Sequence, residues 1–130
     1  MPYQIVYSEN PLGVVTTFSG VITDENLVQS CIDRALEEDI LKDLIYIMDD
    51  FNSVSEFKVT SEGVKKCAEV SVAASKLNHK IIHVAIMPSD LLYGMARMWQ
   101  AYIDETGWTS KIVRSREDAE QWLQELGCKV

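Results

Sequence analysis

Residues 80–90 read Lys80-Ile81-Ile82-His83-Val84-Ala85-Ile86-Met87-Pro88-Ser89-Asp90. An apolar run broken only by His83 gives way to Pro-Ser-Asp. A run of this kind, apolar on both faces and bounded by turn chemistry, predicts a strand covered on both sides, the habit of parallel sheets. Ser89 is a fitting N-cap for the helix that follows, because its hydroxyl can accept one of the unpaired N–H groups of the first turn. That helix runs on to a stop at Gly107. The same strand-then-helix grammar occurs upstream and downstream. Leu44-Ile45-Tyr46-Ile47-Met48 ends at Asp49-Asp50, and a helix with a small-residue face (Val64, Cys67, Ala68, Ser71, Ala74) starts near Thr60 or Ser61. Ser110 to Arg114 is a last strand. Ser115-Arg116-Glu117-Asp118 then opens a final helix with the stripe Ala119, Trp122, Leu123, Leu126.

The N-terminal part supplies two more strands and a helix. Tyr3–Ser8 and Gly13–Gly20 form a hairpin around the Asn10-Pro11 turn. Thr23 caps a helix whose apolar pairs, Leu27/Val28, Cys31/Ile32, Ala35/Leu36 and then Ile40, recur about every four residues. Residues 51–58, with their Ser and Asn, read as a loop, and Asn78 as a left-handed helix end. The order is ββαβαβαβα in one α/β domain, residues 1–130. Three βαβ crossovers predict a mixed, mostly parallel sheet flanked by helices, with the 44–48 and 81–87 strands central. The hairpin adds one antiparallel strand, at the edge or beside the second strand.

The chain has 130 residues, 47 % hydrophobic and 25 % charged, an ordinary globular balance that excludes a disordered chain. Twenty acids against twelve bases give a net charge of −8, which argues against a nucleic-acid partner. The excess lies in the first 60 residues, with 11 acids and 3 bases. This is a solvated acidic face on the first helix, or a surface that favours a basic partner. Cys31, Cys67 and Cys128 show no metal spacing, and a reduced, cytoplasmic setting fits them best. Cys31 and Cys67 fall on apolar helix stripes and read as small hydrophobes. No secretory leader and no membrane-spanning run are legible, and no cofactor is expected to be needed for folding.

Three local patterns carry a resemblance. They are the strand end Tyr46-Ile47-Met48-Asp49-Asp50, the helix Leu91-Leu92-Tyr93-Gly94-Met95-Ala96-Arg97-Met98, and Asp118-Ala119-Glu120-Gln121-Trp122-Leu123. With the element order they make the chain resemble the STAS domains, the sulfate-transporter and anti-sigma-factor-antagonist group. Within that group it resembles the bacterial STAS-like proteins of unassigned function. The resemblance implies a non-enzymatic interaction or regulatory module with a protein partner or a homodimer. The lipid-carrying CRAL-TRIO domains have a related βα core, which gives an alternative: a small-molecule or lipid-binding domain with an apolar pocket near the third helix. Anti-sigma-factor antagonists carry a phosphorylatable Ser in an Asp-Ser-Ser-Gly-like turn after the third strand. Here Asp49-Asp50-Phe51-Asn52-Ser53-Val54-Ser55 has no glycine, so no phosphorylation site is carried over to Ser53 or Ser55.

Candidate binding residues are few. Asp49 and Asp50 end a central strand, beyond which open α/β sheets bind ligands. Their side chains point to opposite faces, so strand termination and turn capping is the simpler reading. His83 reads as a core histidine with one hydrogen-bond partner, and no metal set can be assembled from His79, His83 and the cysteines. Ser89 and Tyr93 sit at the start of the third helix, where free N–H groups could meet a polar ligand. On a helical wheel Leu91, Leu92, Met95, Ala96, Met98, Trp99, Tyr102 and Ile103 fill an arc of roughly 160° at about 100° per residue. That is wider than the ~100° one sheet needs. Met98 lies at one edge and is expected to stay partly exposed, available to a partner or apolar ligand. Trp99 lies further in, as core or pocket wall. No catalytic residue is legible.

Overall fold

The computed structural model describes residues 2–130. Five strands form one sheet in the order β1-β2-β3-β4-β5. They are β1 (Tyr3–Ser8), β2 (Gly13–Thr23), β3 (Tyr46–Lys58), β4 (Ile82–Ile86) and β5 (Thr109–Val113). β1 runs antiparallel to β2 at one edge, and the remaining pairs are parallel. Both long apolar runs therefore lie inside the sheet, as their composition requires.

The helices are α1 (Asp24–Leu36), α2 (Glu38–Leu41), α3 (Ser61–Ser75), α4 (Asp90–Tyr102) and α5 (Arg116–Glu125). Sequential parallel strands joined by right-handed crossovers put every crossover helix on one face. Phe18, Ile22, Phe51, Ala85 and Met87 pack there against Leu27 and Cys31 of α1, Cys67 of α3, and Leu92 and Ala96 of α4. α5 has no following strand and folds back under the other face. There Ala119 and Leu123, both fully buried, meet Tyr46, Met48, Val84 and Ile86. Alternation along β3 and β4 feeds both cores, which is why those strands read as continuous apolar runs.

Four expectations change. Residues 51–58 are strand, paired with β2 out to Lys58. Two register shifts leave extra residues in β3 between its pairings with Thr17 and Ser19 and with Gly20 and Val21. These bulges replace the two-residue alternation with a three-residue recurrence, Phe51, Val54, Phe57. Ser53 and Ser55 thus lie within a strand rather than in a turn that leads into a helix. The first helix stops at Leu36, and a separate turn of helix, α2, carries Leu41 inward against Leu44 and Ile47. Asn78 is not left-handed, since Asn10 is the one non-glycine residue with positive φ among those described. Its amide instead donates to the carbonyls of Leu41 and Leu44, each at 2.9 Å. Cys31 and Cys67 are not separate apolar fillers. Their sulfurs are joined as a disulfide between α1 and α3, with Cα atoms 6.2 Å apart.

The helix starts follow the sequence closely. Thr23, Thr60, Ser89 and Ser115 each accept a backbone N–H of the first turn. At the start of α3 the Thr60 N–H and hydroxyl both donate to Asp24, at 2.7 and 2.6 Å, so the two helix starts are tied together. A Cβ at Gly63 would run into that carboxylate. In an open helix Gly→Ala gains about 1 kcal/mol. Here Gly63→Ala should instead lower stability by about 1 kcal/mol, because the displaced carboxylate loses charge-assisted bonds. A urea midpoint above that of the wild type would refute this packing. Gly107, at φ 82, takes the left-handed turn after a 3-10 turn at Asp104–Thr106.

Candidate functional site

Between the sheet and helices α1, α3 and α4 lies a cavity of about 50 Å³. Phe18, Leu27, Phe51, Met87, Met95 and Trp99 supply much of its apolar wall. Arg34, Asp49 and His83 also line it and form its polar end. Each of these three occupies a position that the pattern marks as inward. Arg34 continues the Leu27, Cys31 stripe of α1. Asp49 lies between Ile47 and Phe51 on one face of β3, and His83 precedes Ala85 on the same face of β4.

All three are buried, with Arg34 and Asp49 9 % exposed and His83 3 %. Arg34 donates through one nitrogen to Asp49 at 2.5 Å and to the Thr16 hydroxyl at 3.2 Å. His83 Nε2 donates to the other Asp49 oxygen at 2.9 Å. On the far side of the ring, Nδ1 lies 3.1 Å from the Ser110 hydroxyl, which accepts a hydrogen bond from the Gln100 amide at 3.2 Å. An amide NH₂ can only donate, so Ser110 is free to donate to Nδ1, and the chain from α4 to α1 closes with every member paired. Burial pushes the Asp49 carboxyl up. The Arg34 charge and the hydrogen bonds from His83 and Arg34 together outweigh that and hold it below the usual carboxylate range.

The candidate residues do not converge on one site. Asp49 is a core ion-pair partner rather than a turn cap, because β3 continues past it. Asp50 points to the opposite face, where it accepts the Asn52 N–H at 2.9 Å and lies 3.6 Å from Arg116. Ser89 caps α4. Tyr93 lies under the Arg114 guanidinium at 4.5 Å, and Arg114 also pairs with Asp90 at 2.8 Å. Trp99 walls the cavity, its ring centroid 4.4 Å from that of His83. Met98 is partly buried.

Two features escaped the sequence reading. One is the set of partners that His83 and Asp49 find in each other and in Arg34. The available signal was an arginine on an apolar stripe, but one chain cannot say which buried acid it meets. The other is the division of the wide α4 arc into two seams. Leu92, Ala96, Trp99 and Ile103 face inward. Leu91, Met95, Met98 and Tyr102, at the same 4-3-4 spacing, form a second seam; Met95 also borders the cavity, and the ends, Leu91 and Tyr102, are 65 % and 41 % exposed. None of the helices among the described residues is long and apolar enough to cross a membrane.

No family model and no curated protein matches the chain. Solved structures do. The anti-sigma factor antagonist SpoIIAA in its unphosphorylated form superposes with a TM-score of 0.56 at 14 % identity, over 94 % of this chain and 97 % of that one. A DUF3478-family protein with a SpoIIAA-like fold from Shewanella loihica PV-4 gives 0.58 at 15 %, over 93 % and 91 %. The phosphorylated form of SpoIIAA, a Bacillus cell fate determinant, gives 0.53 at 13 %, over 93 % and 98 %. At such identities the likeness is one of backbone architecture, and it spans nearly the whole of each chain: this protein has the SpoIIAA-like, STAS-type fold.

Proposed function

We propose that the chain is a non-enzymatic interaction module of regulatory type that docks a protein on the outer seam of α4, with a second copy of itself as the first partner. The observation that carries this reading is the seam Leu91-Met95-Met98-Tyr102, apolar along three turns, with Leu91 and Tyr102 exposed and Met95 and Met98 partly buried. Methionines adapt to varied partner shapes, and tyrosine adds a large amphipathic contact. The fold shared with an anti-sigma factor antagonist, a class of protein-binding proteins, supports the reading by analogy. The adjacent carboxylates of β3 that would serve an enzyme are already occupied, Asp49 by Arg34 and His83, and Asp50 by the Asn52 N–H and Arg116.

The test contrasts neighbouring positions on α4. Met98→Glu should weaken self-association by about tenfold or more, since a charge would replace an apolar contact. Its melting temperature should stay close to that of the wild type. Leu92→Glu, on the inner seam, should unfold the protein. If Met98→Glu also unfolds, Met98 is core and the docking surface is lost at this position.

A second reading, a small-molecule-binding domain, would use the cavity beneath α4, which is largely apolar with Arg34, Asp49 and His83 at one end. Its volume argues against a lipid chain. An apolar cavity that holds benzene measures about 150 Å³, three times the space present here.

A further inference from the structure

β5 is an edge of the sheet, with β4 on one side only. A parallel strand bonds each neighbour through alternate residues. The Thr109 N–H donates to the Ile81 carbonyl at 3.1 Å, and the Val113 carbonyl accepts the Met87 N–H at 2.8 Å. Thr109, Lys111 and Val113 therefore bond toward β4, and the N–H and C=O groups of Ser110 and Ile112 point to the open side. A groove of about 500 Å³ runs along that side. Tyr93 of α4 lines it, as do Lys111 and Arg114, and Asp118, Trp122 and Glu125 of α5. These two helices lie on opposite faces of the sheet, so the groove wraps the free edge of β5.

We propose that this edge binds an extended segment of a partner protein, which adds to the sheet as an antiparallel sixth strand and seats one acidic residue beside Lys111. Backbone chemistry selects the class of ligand. The outward N–H and C=O groups of Ser110 and Ile112 are matched by another strand, and a groove open to both faces holds its alternating side chains. Charge selects the residue. Arg114 pairs with Asp90, and Arg116 with Asp50 and Glu120. Lys111 is exposed, 6.0 Å from the centroid of the Trp122 ring, with no carboxylate within 4 Å among the described residues. Asp118 and Glu125 on the α5 wall disfavour further acids, so the rest of the segment is uncharged. Ile112, partly buried, favours an apolar residue opposite it. A lysine on an edge strand also guards against unwanted pairing, and the two roles part in the test. None of the groove residues belongs to the outer seam of α4, so the two surfaces stand or fall separately.

The probe is the end-blocked peptide Thr-Val-Val-Glu-Thr, titrated into the intact chain while amide hydrogen exchange is followed by NMR. Paired antiparallel, its third residue faces Ile112 and its Glu faces Lys111. In the free protein the Ile112 N–H should exchange rapidly, and the Lys111 and Val113 N–H groups slowly. With about nine-tenths of the protein bound, Ile112 exchange should slow about tenfold, since only the open tenth exchanges. N-methylation of the third residue removes one backbone bond and should weaken binding by about two- to tenfold. Lys111→Ala, at an exposed position that leaves the core untouched, should weaken it by about two- to fivefold. A lysine that only guards the edge would instead give tighter binding on removal, and that result overturns the proposal. An N-methylated peptide that binds as well as its parent would overturn it too, as would a parent peptide that leaves Ile112 exchange unchanged. Protection of Ile112 that rises with protein concentration alone would assign the edge to a second copy and contradict the proposal.

Discussion

Asp49→Ala is expected to lower the unfolding free energy by about 3–5 kcal/mol, because it strands the buried Arg34 guanidinium without a counter-charge. The loss should show as a large drop in the urea midpoint. The pair itself need not be strongly stabilising, since bringing two ions out of water offsets much of their attraction. Arg34→Met with Asp49→Leu should accordingly cost clearly less than the two single changes added together. The same site shapes the acid limb. The Asp49 carboxyl is held below its ordinary value in the folded protein. Its contribution is complete above the unfolded carboxylate range, near pH ~3.9, and declines as the pH falls toward the folded value. In acid the wild type should lose its advantage over Asp49→Ala, and the two stabilities should converge. If Asp49→Ala unfolded at the wild-type midpoint at neutral pH, the buried network would be wrong.

Phe18→Ala should cost about 3–5 kcal/mol, in the range for a buried aromatic. Phe18 is 1 % exposed and stacks on Phe51 with ring centroids 4.2 Å apart, at the centre of the three-helix face. It also borders the existing cavity, so truncation joins new empty space to old and little can collapse into it. That places the expected loss toward the upper end. Urea unfolding checks it: a loss below about 1 kcal/mol would mean that the core on this face is loosely packed.

The strands and helices were legible because each main run carries a periodicity and a cap of its own. The 44–48 and 81–87 runs are apolar on both faces because a helix layer lies on either side of them. Thr23, Ser89 and Ser115 mark three helix starts through their own side chains. The tail of β3 was illegible because its two bulges remove the alternation by which a strand is read, and the unusually long β2 that it pairs with lies some 30 residues away in sequence. The break at Glu37 carries no glycine or proline to signal it. The wheel of α4 placed Trp99 further in and Met98 at the margin; both are partly buried, and Trp99 borders the cavity. It could not separate an inner from an outer seam, because both have the same spacing and composition. The ion-pair network and the Cys31–Cys67 pair are matters of which distant residues meet, and periodicity reports only which face a residue is on.

The proposal that α4 is a docking face is tested most directly by sedimentation velocity of the wild-type chain and a Leu91→Glu/Met98→Glu variant across a wide concentration range. The wild type should shift from monomer to dimer as its concentration rises, while the variant stays monomeric with an unchanged fold by circular dichroism. A wild type that remains monomeric throughout, or a variant that dimerises equally well, would contradict it.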